Sequence, residues 1–553
     1  MRHFCCIFLF LFSLACFSQD TITITLNPRD TGKTIPPDFA GLSFEKDCLK
    51  KGYFSSQRET LIRLFQTCGI KSMRVGGNSV DIYTLSPDTT GTDTTRTHYS
   101  RAELDNLFHF AEQARCKILM GLNLRDSNPS LAAIEASYVI QKYNNVLFGF
   151  EVGNEPDLYI SHGYRKSWYT VTNYETEYKG YYAKIKYDHP TAVFTGPACA
   201  SNHKEFTEPF CRDMDTIISM LTQHNYGGVA DSVSDPATVH RQIDTLLNKE
   251  KLRYISSVVN SLVKCADSIP FRMSECNSFD HGGQKGVSDA FVSALWALDY
   301  MYALADNGCA GVNFHGGLDG PYTVFSKKDN IYSARPIAYG ILAFQIGSKG
   351  KFISDMVTDN TINLDSYSVI DTSNNIYTTI INKDTLQNAV INLDAGDSSY
   401  LSAEYVRLSS DSLGDTTTVT LGGKVLDSLG TMPVYNWISS TVSLNKTQIS
   451  VPAGSAVVLK FKYKIGNSII DYSGKNKHFL NLYPNPASEK VTIITDMTEH
   501  SSISIYNLQG QLLLQQQIQQ GKTDIDISEL AKGVYILRLY SNARVEDGRI
   551  IKE

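Results

Sequence analysis

The hydrophobic pattern of the chain changes near residue 347. Before that point, short apolar runs alternate with longer segments in which apolar residues recur every three to four positions, as in Ser288–Asn307. This period is typical of amphipathic helices, and the short runs are typical of buried strands. In chain order the short runs are Phe39–Glu45, Ile70–Gly77, Lys117–Leu124, Val146–Asn154, Ala192–Ala198, Leu221–Gly227, Phe271–Asn277 and Ala310–Gly316.

These runs and the helical segments between them form eight strand–helix units, the last helix being predicted at Ala334–Ile346. Eight such units in a row predict an α/β fold, a (β/α)8 TIM barrel over residues 20–347. A doubly wound open sheet is the alternative. It would need a glycine-rich first turn, which the run FAGLSFE at Phe39–Glu45 does not provide.

After residue 347, apolar and polar residues alternate with period two between turns rich in Gly, Asn, Asp and Ser. This pattern predicts an all-β sandwich over residues 348–465, packed on the barrel. The early run Thr21–Leu26 alternates in the same way, and we expect it to pair with this β domain. A polar linker is predicted at 466–480, followed by a small Ig-like β-sandwich at 481–553.

The N-terminus carries an apolar run, Phe4–Cys16, directly after Arg2 and His3. The run is shorter than the roughly 20 residues that span a bilayer, so it predicts a secretory signal peptide over residues 1–19. Export permits disulfides, but the eight cysteines after the signal are widely spaced and none forms a CxxC pair. We therefore expect mostly buried thiols and no zinc or redox site.

Composition narrows the classes of partner. The 553 residues include 51 Lys and Arg against 57 Asp and Glu, a net charge of -6. There is no basic surplus to neutralise phosphates, so binding of nucleic acid through bulk charge is excluded. Hydrophobic residues make up 42% of the chain, which is typical of a globular protein.

Two glutamates end predicted barrel strands, Glu155 after the fourth strand and Glu275 in the seventh. Functional side chains of TIM barrels lie at these strand ends, and the fourth and seventh strands face each other across the mouth. Retaining glycoside hydrolysis needs such a pair, one carboxyl protonated and the other ionised. Arg74, from the second strand, would keep Glu275 ionised by its charge.

The sequence Asn-Glu-Pro at 154–156, which contains the first glutamate of this pair, resembles the acid/base motif of clan A glycoside hydrolases. The resemblance implies that Glu155 is the acid/base, with Asn154 on the sugar 2-hydroxyl beside it. It also implies that Glu275 is the nucleophile and that Tyr226, from the sixth strand, holds the nucleophile.

Four longer stretches, IPPDFAGLSFE, RVGGNSVD, FEVGNEPDLY and SECNSFDHGG…GVNFHGG, together resemble glycoside hydrolase family 79 over residues 30–465. That family contains β-glucuronidases and heparanases. The resemblance implies that Glu45 binds sugar hydroxyls. It further implies that backbone N–H groups of Gly282 and Gly283 and the hydroxyl of Tyr322 bind the uronate carboxylate.

The chain departs from the family pattern at Phe279–Asp280–His281, where some members carry a tyrosine for that carboxylate. An ionised Asp280 aimed into the pocket would repel a uronate. His315, at the end of the eighth strand, is interpreted as a structural or substrate hydrogen-bonding residue. No His, Asp or Glu lies at ligand spacing from it, so we expect no metal and no cofactor.

The C-terminal segments LYPNP, IYNLQGQ and LAKGVYILRLY resemble the type IX secretion C-terminal sorting domain, over about residues 480–553. The resemblance implies translocation across the outer membrane, with the type IX machinery as a partner. The mature protein is therefore expected outside the cell or on its surface.

These observations predict an exported, retaining hydrolase of β-linked glucuronides, whose partner is a glycan or glycoconjugate containing glucuronic acid. Exo action is expected, and an endo-glucuronidase of the heparanase type stays open. Two further alternatives also remain open. One is a clan A hydrolase of neutral β-glycosides, and the other is a catalytically inactive glycan-binding protein displayed on the surface. The presence of both Glu155 and Glu275 counts against the second, because a protein that only binds needs neither an acid nor a nucleophile.

Overall fold

The computed structural model describes residues 21–88, 97–358, 361–397, 399–443, 445–463, 480–495, 501–518, 521–540 and 545–553. It divides into two compact units, which meet in the chain between Tyr463 and Lys464. The predicted signal peptide and nearly all of the predicted linker lie outside the described residues.

Over its described residues, the first unit contains 22 strands. In chain order they are β1 (Thr21–Thr34), β2 (Ala40–Glu45), β3 (Ser72–Gly76), β4 (Thr84–Leu85), β5 (His98–Tyr99), β6 (Lys117–Leu122), β7 (Leu147–Val152), β8 (Phe194–Cys199), β9 (Met220–Gly228), β10 (Phe271–Phe279), β11 (Val312–His315), β12 (Phe325–Lys328), β13 (Ile331–Ala334), β14 (Lys351–Val357), β15 (Leu364–Ile370), β16 (Ile376–Asn382), β17 (Ala389–Asp394), β18 (Tyr400–Ser409), β19 (Thr420–Leu421), β20 (Ile438–Ser440), β21 (Lys446–Val451) and β22 (Ser455–Tyr463).

Its helices are α1 (Glu59–Thr67), α2 (Arg101–Ala114), α3 (Pro129–Tyr143), α4 (Val171–Asp188), α5 (Glu208–Met214), α6 (Pro236–Leu246), α7 (Lys249–Ala266), α8 (Phe291–Asp306) and α9 (Pro336–Gly347). Helix α8 ends at Asp306, where Asn307 caps the helix and Gly308 follows with φ of 91°. Glycine adopts this left-handed conformation without steric cost.

The TIM barrel is confirmed. Strands β2, β3, β6, β7, β8, β9, β10 and β11 pair in that order and β11 returns to β2, all in parallel. Helices surround the barrel, so its strands are buried on both faces and read as nearly continuous apolar runs. In β10, all nine residues are buried.

The β domain is one ten-stranded sheet, and β1 lies inside it, between β14 on one side and β17 on the other. Alternation along the strands gives the sheet two apolar faces. In β22, Ala456 and Val458 join the core of the barrel, whereas Val457, Leu459 and Phe461 join a second core. Strand β21, at one end of the sheet, and β18, next to the other end, both contribute to this second core, so the sheet folds over itself as a sandwich.

Helix α8 lies between the barrel and the sandwich, which explains why it is apolar on all sides. Its residues from Phe291 to Ala305 are all buried. On the sandwich side, Tyr302 hydrogen-bonds to Thr379 over 2.9 Å, and Tyr367 donates to Asp299 over 2.7 Å. The barrel and the sandwich therefore form one continuous structure.

The second unit consists of β23 (Leu480–Tyr483), β24 (Lys490–Thr495), β25 (Ser501–Tyr506), β26 (Leu512–Ile518), β27 (Gly521–Asp526), β28 (Gly533–Tyr540) and β29 (Val545–Lys552). They form one sheet of three strands and one of four. Val491, Ile503, Ile525 and Leu537 belong to the apolar core of this unit. A small β-sandwich results.

The eight cysteines of the first unit are free thiols, seven of them buried and Cys265 half-buried. Within the described ranges, no helix is both long enough and apolar enough to cross a membrane.

Candidate active site

A buried arginine organises the carboxyl end of the barrel. Arg74, from β3, is fully buried and donates to Glu151 over 2.6 Å and to Glu275 over 2.8 Å. It also donates to Asn154 over 2.9 Å and to Ser43 over 3.2 Å. Burial by itself lowers the pKa of Arg74, but the two carboxylates outweigh it and raise the pKa above its usual value.

Glu275 lies at an irregularity in β10. The register with β9 shifts between Met273 and Glu275, as in a β-bulge, which re-aims the side chains that follow. One carboxylate oxygen of Glu275 accepts from Arg74, and the other accepts from the Tyr226 hydroxyl over 2.7 Å. Two donors thus fix the orientation of this carboxylate.

The charge state of Glu275 follows from its neighbours. Burial raises the pKa of this carboxyl, but the charges of His315, His224 and Arg74 and the hydrogen bond from Tyr226 outweigh burial. Together they hold the pKa of Glu275 well below its usual value, so the side chain is ionised at neutral pH.

Glu155 follows β7 in an uncommon backbone conformation. Its φ of 52° and ψ of 55° lie in the left-handed region, which a non-glycine residue adopts only at some cost. The backbone N–H of Glu155 donates to the carbonyl of Ala198 over 2.9 Å, which helps to hold this conformation. Nδ1 of His224 lies 2.9 Å from Oε1 of Glu155 and orients the carboxyl.

The two strand-end glutamates meet. A carboxylate oxygen of Glu155, one of Glu275 and a ring nitrogen of His224 all lie within 4.8 Å of one another. Retaining glycosidases hold their carboxyl groups about 5–5.5 Å apart, whereas inverting enzymes leave about 6.5–9.5 Å for a water. The short separation fits direct attack by one carboxylate on the substrate.

The same three groups are close enough to offer ligands to a metal ion. However, both oxygens of Glu275 already accept hydrogen bonds from Arg74 and Tyr226. The guanidinium of Arg74 would also repel a cation placed beside Glu275. The cluster therefore fits proton transfer and nucleophilic attack better than it fits metal binding.

Glu45 and His315 form the neighbouring wall. Glu45 accepts from the backbone N–H groups of Asn78 and Ser79, over 3.2 and 2.7 Å. Nε2 of His315 lies 3.5 Å from Glu45, and its Nδ1 lies 3.4 Å from Glu275. Burial lowers the pKa of His315, but Glu275 and Glu45 outweigh it and raise the pKa above its usual value. His315 thus links the two carboxylates.

Asn154 is held from both ends. Its side-chain oxygen accepts from Arg74 and its amide donates to Asn78 over 3.2 Å. Its backbone N–H donates to the buried Asp81 over 3.3 Å, and Asp81 also accepts from the hydroxyl of Tyr159. The amide beside Glu155 is therefore fixed before any ligand binds.

The loop after β10 differs in part from what the resemblance implies. The N–H of Gly283 donates to the carbonyl of Asp280 over 2.9 Å, so this N–H is engaged within the loop. Gly282 keeps open space, since a Cβ on it would meet nothing within 4 Å. The hydroxyl of Tyr322, which lines the cavity, has no hydrogen-bond partner among the described residues. The hydroxyl of Tyr322 therefore remains available as a donor, beside the open space at Gly282.

Asp280 is occupied at the rim of the cavity. Its Oδ1 accepts from the backbone N–H of Ala230 over 2.9 Å and lies 2.9 Å from Nδ1 of His281. The hydrogen bond and the charge of Asp280 raise the pKa of His281. The negative charge that departs from the family pattern is thus paired with a neighbouring imidazole.

The structure adds three polar residues to those predicted: Glu151, His224 and Ser43. All three are buried inside the barrel, and none stands at a strand end. Strand parity could have identified His224, because it precedes Tyr226 by two residues in β9 and so faces the same side. Glu151 lies within the apolar run of β7. Strand alternation indicates which face its side chain occupies, but it does not indicate that Arg74 is its partner.

A cavity of about 1090 Å³ opens over this cluster, and Glu45, Glu155, Tyr226, Glu275, His315 and Tyr322 line it. The structure thus brings the predicted site residues to the same end of the barrel. Arg74 and Asn154 do not line the cavity, but Arg74 donates to both Glu275 and Asn154. Gly283 lines a smaller adjoining cavity.

Comparison with protein families gives one match at the C-terminus. Residues 481–553 match the family described as the secretion system C-terminal sorting domain. The predicted sorting domain is confirmed, and the protein is therefore exported to the cell surface or secreted.

Among curated proteins, a β-glucuronidase of Aspergillus niger is 29% identical over 197 residues, which cover 31% of this chain and 35% of that enzyme. The match thus spans about a third of the relative, and it supports the predicted resemblance to family 79.

Two solved structures share the fold. One is a 4-O-α-L-rhamnosyl-β-D-glucuronidase of Fusarium oxysporum, 18% identical with a TM-score of 0.66, covering 79% of this chain and 100% of that one. The other is a family 51 arabinofuranosidase of Xanthomonas axonopodis pv. citri, 13% identical with a TM-score of 0.62, covering 80% and 100%. At these identities the likeness concerns the fold.

Proposed function

We propose that this chain is an exported, retaining glycoside hydrolase that cleaves β-linked glucuronides by double displacement, with Glu275 as nucleophile and Glu155 as acid/base. The observation that carries the proposal is the approach of these two carboxyl groups to within 4.8 Å at the mouth of the barrel. Its class is supported by the similarity to a β-glucuronidase.

In the first step, the Glu275 carboxylate attacks the anomeric carbon and Glu155 gives its proton to the departing oxygen. Arg74 and Tyr226 keep Glu275 ionised and aimed at the substrate. The bond between Glu275 and the sugar forms as the glycosidic bond breaks, which gives a covalent glycosyl-enzyme.

In the second step, water attacks the same carbon, Glu155 takes a proton from it, and the carboxylate of Glu275 leaves. Bond formation in the first step consumes the free carboxylate of Glu275, so Glu155, which has given up its proton, is the carboxylate that acts as base in the second step. His224, 2.9 Å from Glu155, holds the carboxyl in place during both proton transfers.

The uronate preference rests on the open donors beside the cluster. Burial raises the pKa of Tyr322, so its hydroxyl stays protonated and can donate. Gly282 lies next to it on the same cavity wall. A hydrogen bond to a charged acceptor contributes about 1.5–3 kcal/mol, so these donors would favour a carboxylate over a hydroxymethyl group at C5.

Tyr322→Phe tests this preference. We expect kcat/KM for p-nitrophenyl β-D-glucuronide to fall roughly 10–100-fold, because the variant loses one donor to the carboxylate. Any β-glucosidase activity should stay nearly constant, since a neutral hydroxymethyl group gains much less from that donor. Initial rates on the two p-nitrophenyl glycosides measure both effects.

Tyr187→Phe is the matched control, because Tyr187 is a surface residue of α4 with 85% of its area exposed. It should leave both activities as they are. Equal losses on both substrates in Tyr322→Phe would contradict a contact with the carboxylate. A wild-type enzyme that prefers a neutral β-glycoside would contradict the glucuronide assignment and leave the retaining mechanism to be tested by itself.

We further propose that the sorting domain delivers the enzyme through the type IX machinery and takes no part in catalysis. All strand pairs of the second unit join residues within 480–552. The site residues all belong to the first unit.

Deleting residues 481–553 should therefore leave a soluble enzyme with unchanged kcat/KM when it is made in a heterologous host. In the native host the same deletion should hold the protein in the periplasm, as fractionation and immunoblotting would show against the full-length chain. Normal extracellular levels of the truncated form would contradict the sorting role.

A further inference from the structure

Two cysteines lie on neighbouring helices of the outer layer of the barrel. Cys211 is in α5, Cys265 is near the end of α7, and the two helices pack against each other. We propose that these two thiols form a disulfide when the protein is exported, and that this bond ties α5 to α7. The proposal depends on export, which the sorting domain indicates, and not on the catalytic activity.

Contacts between the two helices bring the cysteines together. The hydroxyl of Ser261 donates to the side chain of Glu208 over 3.0 Å, and the thiol of Cys265 donates to the backbone carbonyl of Glu208 over 3.6 Å. In an α-helix a carbonyl points toward the next turn, and Cys211 lies three positions after Glu208. The thiol of Cys265 therefore lies against the turn of α5 that carries Cys211.

The electrostatics of Cys211 agree with this proximity. Burial raises the pKa of the Cys211 thiol, and the neighbouring thiol of Cys265 adds to the effect, which brings the pKa to about 12. A thiol with so high a pKa is rarely ionised at neutral pH, so Cys211 reacts slowly once the protein is folded. Cys211 is also buried, whereas Cys265 is half-buried. An oxidant thus reaches Cys265 first, and the bond forms mainly while the helices assemble.

The oxidant is a protein or glutathione disulfide in the compartment through which the chain is exported. The Cys265 thiolate attacks one sulfur of that disulfide, which releases one thiol and leaves a mixed disulfide on Cys265. Cys211 then loses its proton and attacks the sulfur of Cys265, which releases the second thiol. Two protein thiols are thereby oxidised to one disulfide, and the oxidant is reduced to two thiols that carry the two protons.

A second pair of neighbouring cysteines offers an internal comparison. Burial and the nearby Cys309 raise the pKa of the Cys276 thiol. However, the two thiols donate to different backbone carbonyls, Cys276 to Asn313 over 3.5 Å and Cys309 to Gly311 over 3.1 Å. Both are buried, so neither gives an oxidant the access that Cys265 gives. We expect this pair to remain reduced.

The bond would act on stability and leave catalysis unchanged. It would close a loop of about 54 residues that contains β9 and α6, and such a crosslink restricts the unfolded chain. Strand β9 carries His224 and Tyr226, so the segment held by the bond includes part of the site. Neither cysteine lines the main cavity, and kcat/KM should therefore be the same with and without the bond.

The test maps the thiols of the full-length protein collected outside the native host. Free thiols are alkylated with N-ethylmaleimide in guanidinium chloride, and trypsin is then applied without reductant. Cys211 and Cys265 fall in the tryptic peptides 205–212 and 265–272, each of which contains one cysteine. We expect mass spectrometry to find these two peptides joined in more than half of the molecules. The peptide 273–285, which contains Cys276, should be alkylated.

Melting temperatures separate the bond from packing of the two side chains. Reduction with dithiothreitol, checked by the same peptide map, should lower the Tm of the wild type by about 4 °C. Cys265→Ser should have the same Tm with and without reductant. Cys116→Ala removes a buried thiol elsewhere in the barrel and is the matched control. It should respond to dithiothreitol as the wild type does.

The outcomes decide the proposal. Finding Cys211 and Cys265 alkylated in at least half of the exported molecules would show that the pair stays reduced, and would overturn the disulfide. A bond from either residue to another cysteine would overturn the pairing. A Cys265→Ser protein that loses as much Tm on reduction as the wild type would overturn the stabilising role. The peptide map needs no variant, so it decides the pairing even if Cys265→Ser fails to fold.

Discussion

Glu275→Gln is expected to lower kcat by about 10⁴-fold or more on every substrate, whatever the leaving group. The amide of glutamine is a poor nucleophile, so the covalent intermediate cannot form. Glutamine keeps the size of the side chain, and Arg74 still has Glu151 as a counter-charge over 2.6 Å. We therefore expect the variant to fold, with a melting temperature close to that of the wild type.

Trapping experiments give this prediction a second measurement. A 2-deoxy-2-fluoro glucuronide with a good leaving group should label the wild-type enzyme, and peptide mass spectrometry should place the label on Glu275. Glu59→Gln, an exposed change on α1, is the matched control and should be labelled and active like the wild type. A label on another carboxyl, or a Glu275→Gln enzyme with substantial turnover, would contradict the assignment of the nucleophile.

Glu155→Ala should show a loss that depends on the leaving group. Activated aryl glucuronides need little protonation, so they should lose far less activity than alkyl glucuronides and natural glycans, for which we expect about 10²–10⁴-fold. Azide can enter the space that the carboxyl vacates and attack the glycosyl-enzyme. It should raise the rate on aryl substrates and give a β-glycosyl azide, which NMR would identify.

The stereochemistry of that azide makes the test decisive for the mechanism. A β-configured product requires two inversions, the first by Glu275 and the second by azide. An α-configured product would show a single displacement and contradict the retaining mechanism. Equal losses on aryl and alkyl substrates would contradict the role of Glu155 as acid.

The barrel could be predicted from the sequence because its eight strands are short apolar runs that alternate with longer segments of helical periodicity. Glu155 and Glu275 were predictable for a related reason, because a charged residue at the carboxyl end of a barrel strand lies at the mouth of the barrel. The alternation in TITITL at Thr21–Leu26 indicated a strand. It did not indicate which strands would be its neighbours, because β14 and β17 lie far along the chain.

The interior of the site was harder to predict. Glu151 pairs with Arg74 across the barrel, and only the closure of the sheet brings the two together. The direction of a loop N–H is equally inaccessible, because it depends on backbone angles that the sequence does not display. The family resemblance implied that the N–H of Gly283 binds the carboxylate. In the structure this N–H instead donates to the carbonyl of Asp280.

The place of β1 inside the sandwich has a consequence for how the enzyme assembles. Thr21 pairs with Val390, and Ile24 pairs with Val357, so the first strand of the described chain joins a sheet whose other members are synthesised only after the whole barrel. The entire barrel is an insertion between β1 and β14. Contacts so distant in sequence slow folding, because a long loop must close before they form. The barrel and the sandwich therefore cannot be separated by a cut at any one position, and we expect the catalytic unit to unfold as a single cooperative body.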